Sequence, residues 1–240
     1  MKIIRNIFKQ ITSFLVSLAL VFPMSLSAIE PVVIDNGSAA KYQANLDITR
    51  NGVPIINIVK PDASGLSHNK FLNYNVEKQG LILNNSNQLQ VTTQLGGVIY
   101  GNTNLVNANS ANRILNEVTS LNKSTLAGYT EVAGNMASVI VANPNGIFVK
   151  GGGFINTPKV TLTTGVPQFT ADQLRSSKIT QGIIEIGDEN FNIDNIDKIE
   201  LYAKALKFNS KLYAKDVNII TGTNDISIDG EVGNSNRYDK

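Results

Sequence analysis

The chain has 240 residues, with 21 Lys+Arg against 19 Asp+Glu, one His, and neither Cys nor Trp. This excludes a disulfide scaffold, a thiol nucleophile, a Cys-ligated zinc or iron–sulfur centre and any metal cage needing two histidines. Beyond Lys2, Arg5 and Lys9, which precede the first acid, Glu30, the charge is nearly balanced, without the clustered basic face a nucleic-acid reader needs.

Residues 1–27 read as a secretory signal. The basic start is followed by an apolar run from Ile11 to Phe22, then Pro23 and the small-residue stretch ending at Ser27 and Ala28, where cleavage is expected. As a helix that run would reach only about 18 Å, too short to cross a bilayer core. No later apolar run approaches membrane length, so the mature chain, residues 28–240, is expected to leave the cytoplasm through the general secretion machinery without a helical anchor. Residues 28–65 are irregular, with Asn51-Gly52-Val53-Pro54 as a turn, and are expected to cap the first open strand edge.

Next comes a recurring unit: two apolar residues separated by one, ended by Gly, Asn or Pro. Leu81/Leu83, Val98/Tyr100, Val139/Val141, Ile147/Val149, Val160/Leu162 and Ile184/Ile186 all follow it. That is the period of a strand, cut into short pieces by turn formers, and 30 Asn with 19 Gly fit the same picture. Near the end, Leu201-Tyr202-Ala203-Lys204 recurs eleven residues on as Leu212-Tyr213-Ala214-Lys215. Units of that size, two or so per turn, predict an all-β chain wound as a right-handed parallel β-helix; a two-sheet sandwich is the alternative. One coil buries too few aliphatic side chains to offset the ordering of its own backbone, so it needs neighbours above and below. Asn-rich corners would help by bonding to one another and to turn backbone.

Several motifs point to chemistry the chain does not complete. His68, between Ser67 and Asn69 in a polar, loop-like stretch, has no G-x-S-x-G elbow to serve. Asp188 to Asp194 places oxygen ligands at alternate positions, but Ile193 and Ile199 stand where a calcium loop requires Gly and Glu. Gly151-Gly152-Gly153 lacks the downstream Lys-Ser/Thr of a phosphate loop. No catalytic, cofactor or metal site is assigned. Asn143-Pro144-Asn145-Gly146 reads as a strong turn, with Pro fixing the first central dihedral and Gly free to take positive φ. Asn73-Tyr74-Asn75 reads likewise as corner and stack.

The stretches Asn69-Lys70-Phe71-Leu72-Asn73-Tyr74-Asn75-Val76, Gly80-Leu81-Ile82-Leu83-Asn84-Asn85-Ser86, Gly128-Tyr129-Thr130-Glu131-Val132-Ala133-Gly134 and Val141-Ala142-Asn143-Pro144-Asn145-Gly146-Ile147, with Val160 to Gly165, carry a specific likeness. Together they resemble the N-terminal two-partner secretion domain of filamentous haemagglutinin-type exoproteins, a family of adhesins, haemolysins and contact-dependent growth inhibition toxins. The resemblance extends through the Leu201 to Gly222 repeat. It implies a β-helix with an N-terminal cap and extra-helical strand pairs. It further implies recognition of the non-native chain in the periplasm by the POTRA domains of a cognate outer-membrane β-barrel transporter, then export to the surface of a Gram-negative-type bacterium, where the domain folds and seeds a longer β-helix. Two Asn-rich motifs carry over: Asn143, Pro144, Asn145, Gly146 and Ile147 intact, and Asn102, Thr103, Asn104 and Leu105 with Thr103 where the family has Pro. Asn73, Tyr74 and Asn75 are secondary candidates for transporter contact. Any host or bacterial target is expected to be met by a region beyond Lys240. A stand-alone glycan-binding adhesin and a β-helical polysaccharide-degrading enzyme are the alternative readings.

Overall fold

Strand alternation sorts side chains into two sets. Along Arg113–Val118, Ile114 and Val118 enter a core shared with Val139, Val141, Val160, Leu162, Ile199 and Leu201, whereas Leu115 packs on the other side with Leu66, Ile140 and Ala142. Successive residues of a strand point to opposite faces, so one set lines the interior and the other the outside. The computed structural model describes residues 31–233 apart from Lys211 and Tyr213. The expected signal, with Ser27 and Ala28, lies outside the described residues.

Three sheets wrap the interior. The seven-stranded sheet runs in the order Val32–Ile34, Leu66–Tyr74, Arg113–Val118, Ser138–Ala142, Lys159–Thr163, Lys198–Ala203, Val217–Thr221. The second, six-stranded, contains Leu81–Asn85, Tyr129–Gly134 and Gly152–Ile155, and the third, four-stranded, contains Ser124–Leu126, Ile147–Val149, Ile183–Ile186 and Ala205–Phe208. The chain visits the three in turn and returns to the first one coil further on, so neighbouring coil strands are parallel. This is the right-handed parallel β-helix, the hand that twisted strands favour for parallel crossovers. In-register stacking puts Ile114 beside Val139, Val139 beside Val160, Val160 beside Ile199 and Ile199 beside Val217.

The eleven-residue repeat is not the stacking period. Leu201 lies beside Ile219, and Leu206 beside Ile184 in a different sheet. A coil has three strands and three corners, so units alike in sequence fall on different faces instead of on top of one another.

The ends and insertions depart from the parallel pattern. Val32–Ile34 runs antiparallel to the first coil strand, Leu66–Tyr74, and Asn45–Ile48 runs antiparallel to Pro54–Asn57, which itself lies beside Leu81–Asn85. The turn between the latter pair is closed by Thr49 N–H donating to the Val53 carbonyl at 2.9 Å, with Gly52 at φ +86°. These pairings cover the starting edge of the stack. Two elements stand outside the coils: the hairpin Gln90–Thr93/Gly97–Tyr100, and an antiparallel sheet of Val166–Thr170, Gln173–Ile179 and Asn224–Ser227. The first is held by Glu131, whose carboxylate accepts the backbone N–H groups of Gln94 and Leu95, each at 2.8 Å.

His68 is not in a loop. It sits in strand Leu66–Tyr74, buried between the rings of Tyr42 (centroids 4.6 Å apart) and Phe169 (4.9 Å, interplanar angle 11°), with Nε2 2.6 Å from Glu117 Oε2. Its polar neighbours Ser67 and Asn69 face the interior, where they serve backbone groups: Ser67 Oγ donates to the Val59 carbonyl at 2.7 Å, and Asn69 Oδ1 accepts Val59 N–H at 2.9 Å. A polar interior bonded to the cap looks like a loop in one dimension.

Candidate functional site

Strand Ser138–Ala142 ends at Asn143, where the chain turns into Ile147–Val149. Gly146 N–H donates to the Asn143 carbonyl at 3.1 Å and Asn145 N–H to Asn143 Oδ1 at 3.0 Å, so backbone and side chain close the turn together. The fully buried Asn143 also joins three coils. Its N–H donates to the Thr163 carbonyl of the following coil at 2.9 Å, and its Nδ2 donates to the Asn122 carbonyl and Ser124 Oγ of the preceding one, both at 2.9 Å. Asn145 Nδ2 donates to the Ser120 carbonyl at 2.8 Å. Gly146 has φ +119°, and a Cβ there would come within 2.9 Å of the Ile183 carbonyl oxygen, so both conformation and the next coil require glycine. Ile147 drops into the core between Ser124 and Ile184.

The second corner repeats this chemistry without proline. Asn102 Oδ1 accepts Asn104 N–H at 2.9 Å, and Leu105 N–H donates to the Asn102 carbonyl at 3.0 Å, closing a single 3-10 turn over Thr103–Leu105. Asn102 Nδ2 donates to the carbonyls of Ile58 (2.8 Å) and Asn84 (2.9 Å), and Asn104 Nδ2 to those of Asn57 (3.1 Å) and Ile58 (3.2 Å). Thr103 is exposed, and Leu105 is fully buried.

Asn73, Tyr74 and Asn75 lie one coil before the Ser120–Ser124 corner and in line with Asn143. Asn122 Nδ2 donates to Asn73 Oδ1 at 2.6 Å while its carbonyl accepts from Asn143, and Thr125 N–H donates to Asn75 Oδ1 at 2.8 Å. Tyr74 packs on Phe71 with ring centroids 5.2 Å apart, and its hydroxyl accepts Asn116 Nδ2 at 3.2 Å. Burial pushes its phenol well above the ordinary value. One column of corners therefore joins Asn73, Asn75, Asn122, Asn143 and Asn145. Asn102 and Asn104 bond instead to the cap strand Pro54–Asn57 and its neighbour.

Ser120, Asn122 and Ser124, the middle of the column, were not singled out from sequence. Their signal is a polar Asn-Lys-Ser stretch following strand Arg113–Val118, as Asn143-Pro144 follows Ser138–Ala142. Of the acids near residue 190, Glu185 lies 2.8 Å from Lys207 and Asp197 lies 2.9 Å from Lys215. The Lys207 hydrogen bond is the main cause that holds the Glu185 carboxyl below its ordinary value. What the corners do chemically is consume backbone groups where a coil changes direction, which irregular backbone in a close-packed stack requires.

The TPS secretion domain family matches the chain over residues 32–238. A 16S rRNA endonuclease CdiA of Enterobacter cloacae is 45% identical over 221 residues, 92% of this chain and 6% of that protein. A tRNA nuclease CdiA of Escherichia coli strain NC101 is 44% identical over 224 residues, 93% of this chain and 7% of that protein. The chain thus spans a small fraction of the length of these relatives. Among solved structures, the crystal structure of the filamentous hemagglutinin secretion domain superposes with a TM-score of 0.74 at 31% identity, covering 85% of this chain and 68% of the other.

Proposed function

The chain belongs to the TPS secretion domain family, and from that premise we propose that its Asn corners serve twice, first as contacts for a transporter and then as corners of the fold. The domain is a secretion module of the kind found in CdiA and filamentous haemagglutinin exoproteins, secreted or cell-surface proteins of Gram-negative bacteria, and such a module has a dedicated transporter as partner. In this reading residues 1–27 direct the chain to the general secretion machinery and are cleaved at Ser27 or Ala28. The periplasmic POTRA domains of the partner barrel then bind the chain before it folds.

One observation carries the non-native part of the proposal. In the folded domain the Nδ2 donors of Asn102, Asn104, Asn143 and Asn145 are occupied by bonds to neighbouring elements, and Asn102 and Asn143 are buried as well. A partner reads these two only in the unfolded chain, where extended segments can add as strands to a sheet edge. Once outside, each coil laid on the last buries surface that threading back would re-expose, so folding opposes return without a nucleotide.

At the far end, Val217 and Ile219 remain 39% and 46% exposed although they stand in register with the buried Ile199 and Leu201. That open apolar edge supports a further role, seeding β-helix in chain that follows. The nuclease activities in the relatives' names are placed, on this reading, in parts of those proteins that this chain does not cover. Family membership favours secretion over a stand-alone glycan adhesin or a polysaccharide-degrading enzyme.

The test mixes the mature chain with the partner's POTRA domains, either diluted from denaturant or already refolded. Capture of the non-native chain and much weaker capture of the folded one is expected; equal capture of both overturns the proposal. Asn143→Ala and Asn145→Ala, assayed for export and for refolding, separate the two roles: loss of refolding with capture of the non-native chain intact makes the motif a corner only.

A further inference from the structure

In a solenoid each repeat touches only its neighbours, so the first coils should be indifferent to the last. The three-stranded antiparallel sheet breaks that rule. It is inserted after Lys159–Thr163 and lies on the outer face of the seven-stranded sheet. Leu174 packs there with Leu66, Leu115 and Ile140 from the first three coils, while Ile179 and Ile226 pack with Tyr202 from a later one. Between Leu115, Ile140, Leu174 and Ile228 the space left is about 30 Å³, enough for a water or two, whereas a cavity of about 230 Å³ opens nearer the tip beside Leu66, His68 and Phe169. At its tip Phe169 stacks on His68, and Asp172 lies 3.6 Å from Lys41 in the cap.

That tip is held against its own preference. Ala171 and Asp172 form the two-residue loop with φ +50° and +62°, a turn that normally calls for Asn-Gly. A non-glycine residue keeps such a conformation where its surroundings over-determine it. Two strands alone are a marginal unit in water. The third, Asn224–Ser227, pairs with Ser176 to Ile179, and just beyond it Ile228 N–H donates to the Arg175 carbonyl at 3.0 Å. Ile228 also joins the Leu66–Leu115–Leu174 cluster. The piece that completes the cover of the first coil is therefore the last strand in the described chain.

We propose that this sheet is a clasp closed by Asn224–Ser227, which locks the cap and the first coils to the last one, so that the outer face of the early coils is sealed only when residues 224–228 are seated. Coils still stack one on the next, but the outer face of the early ones is completed only with the last, so a chain that has emerged only as far as its fifth coil stays open on this side.

The absence of cysteine permits a clean test on the full 240-residue chain. Leu115→Cys places a thiol under the clasp, and Val139→Cys places one inside the β-helix; both native side chains are fully buried. Thiol labelling rates are read for each reporter alone and combined with Ile226→Asp. The clasp predicts that Ile226→Asp accelerates labelling at position 115 by about tenfold or more while position 139 stays within about twofold, the signature of sub-global opening. Unchanged labelling at 115 overturns the proposal, because the cover would not depend on the closing strand. Equal acceleration at both positions also overturns it, because the sheet would not open as a separate element. If Ile226→Asp does not fold, Ile228→Ala, a smaller change on the same clasp, is read with the same two reporters and the same criteria.

Discussion

The two Asn corners differ at two positions, Pro144 against Thr103 and Gly146 against Leu105, and in where they are anchored. At Asn143 the chain has Pro next, and the corner ties a coil to those before and after it. At Asn102 it has Thr103, and the corner ties the hairpin's exit to the cap strand and its neighbour. Yet the side-chain pattern is the same: Oδ1 accepts the N–H two residues on, and Nδ2 spans to two acceptors on adjacent elements. Asn therefore builds the corner, and Pro only biases the chain toward it. A primary amide supplies an acceptor and two donors on separate atoms, whereas at neutral pH a carboxylate supplies no donor and a hydroxyl only one.

The most damaging single change is Asn143→Asp, which keeps the acceptor and removes both donor bonds while burying a charge against the Asn122 carbonyl. A loss of about 4 kcal/mol is expected, read as a shifted denaturant midpoint. Asn143→Ala and Asn102→Ala should each cost about 2 to 3 kcal/mol and agree within about 1 kcal/mol, because each removes one Oδ1 turn bond and two Nδ2 bonds, Asn143 losing besides only a long bond from Asn145 Nδ2 at 3.4 Å. If Asn102→Ala is nearly neutral by thermal unfolding, the corners are not equivalent and proline carries more of the turn than Asn does. Thr103→Pro isolates the contribution of proline. Asn102 already has φ −74° and ψ 116°, the extended conformation a following proline prefers, so a gain of about 0.5 kcal/mol in unfolding free energy is expected. The smallest effect is electrostatic. The folded carboxyl of Glu185 is lowered, so its contribution is present above the unfolded value and fades as pH falls through the folded one. Lys207→Ala should raise the Glu185 value in an NMR titration and leave the unfolding midpoint at neutral pH almost unchanged, since the pair is exposed.

The two ends of the stack also differ. At the start, antiparallel strands cover the first coil, and Val32, Ile56 and Ile58 are buried there. At the far end Val217–Thr221 leaves inward-facing side chains half in water. The alternation Val217/Ile219 reads identically to Val139/Val141, because periodicity reports which face a residue takes, not whether a further coil covers it.

Much of the site was legible. Asn143, Pro144 and Gly146 read as a turn because Pro and Gly restrict or free their own dihedrals, a property that needs no neighbours. Asn73 and Asn75 read as corner and stack for similar reasons. The role of Asn122 was not legible, nor was the burial of His68. Asn122 matters because Asn73 stands before it and Asn143 after it, and His68 is buried because a hairpin inserted three coils later lays Phe169 on it.

What the chain dictated by itself is local: short strands, their inward and outward faces, and corners where Asn, Gly and Pro make turning cheap. Tertiary structure decided the rest, including three strands per coil, the eleven-residue repeat falling on different faces, and an outer face sealed by residues far along the chain. The reason is that dihedral preferences and two-residue alternation act between neighbours in sequence, whereas stacking register and the cover of a sheet are settled by hydrogen bonds and burial between segments that meet only once the coil has closed.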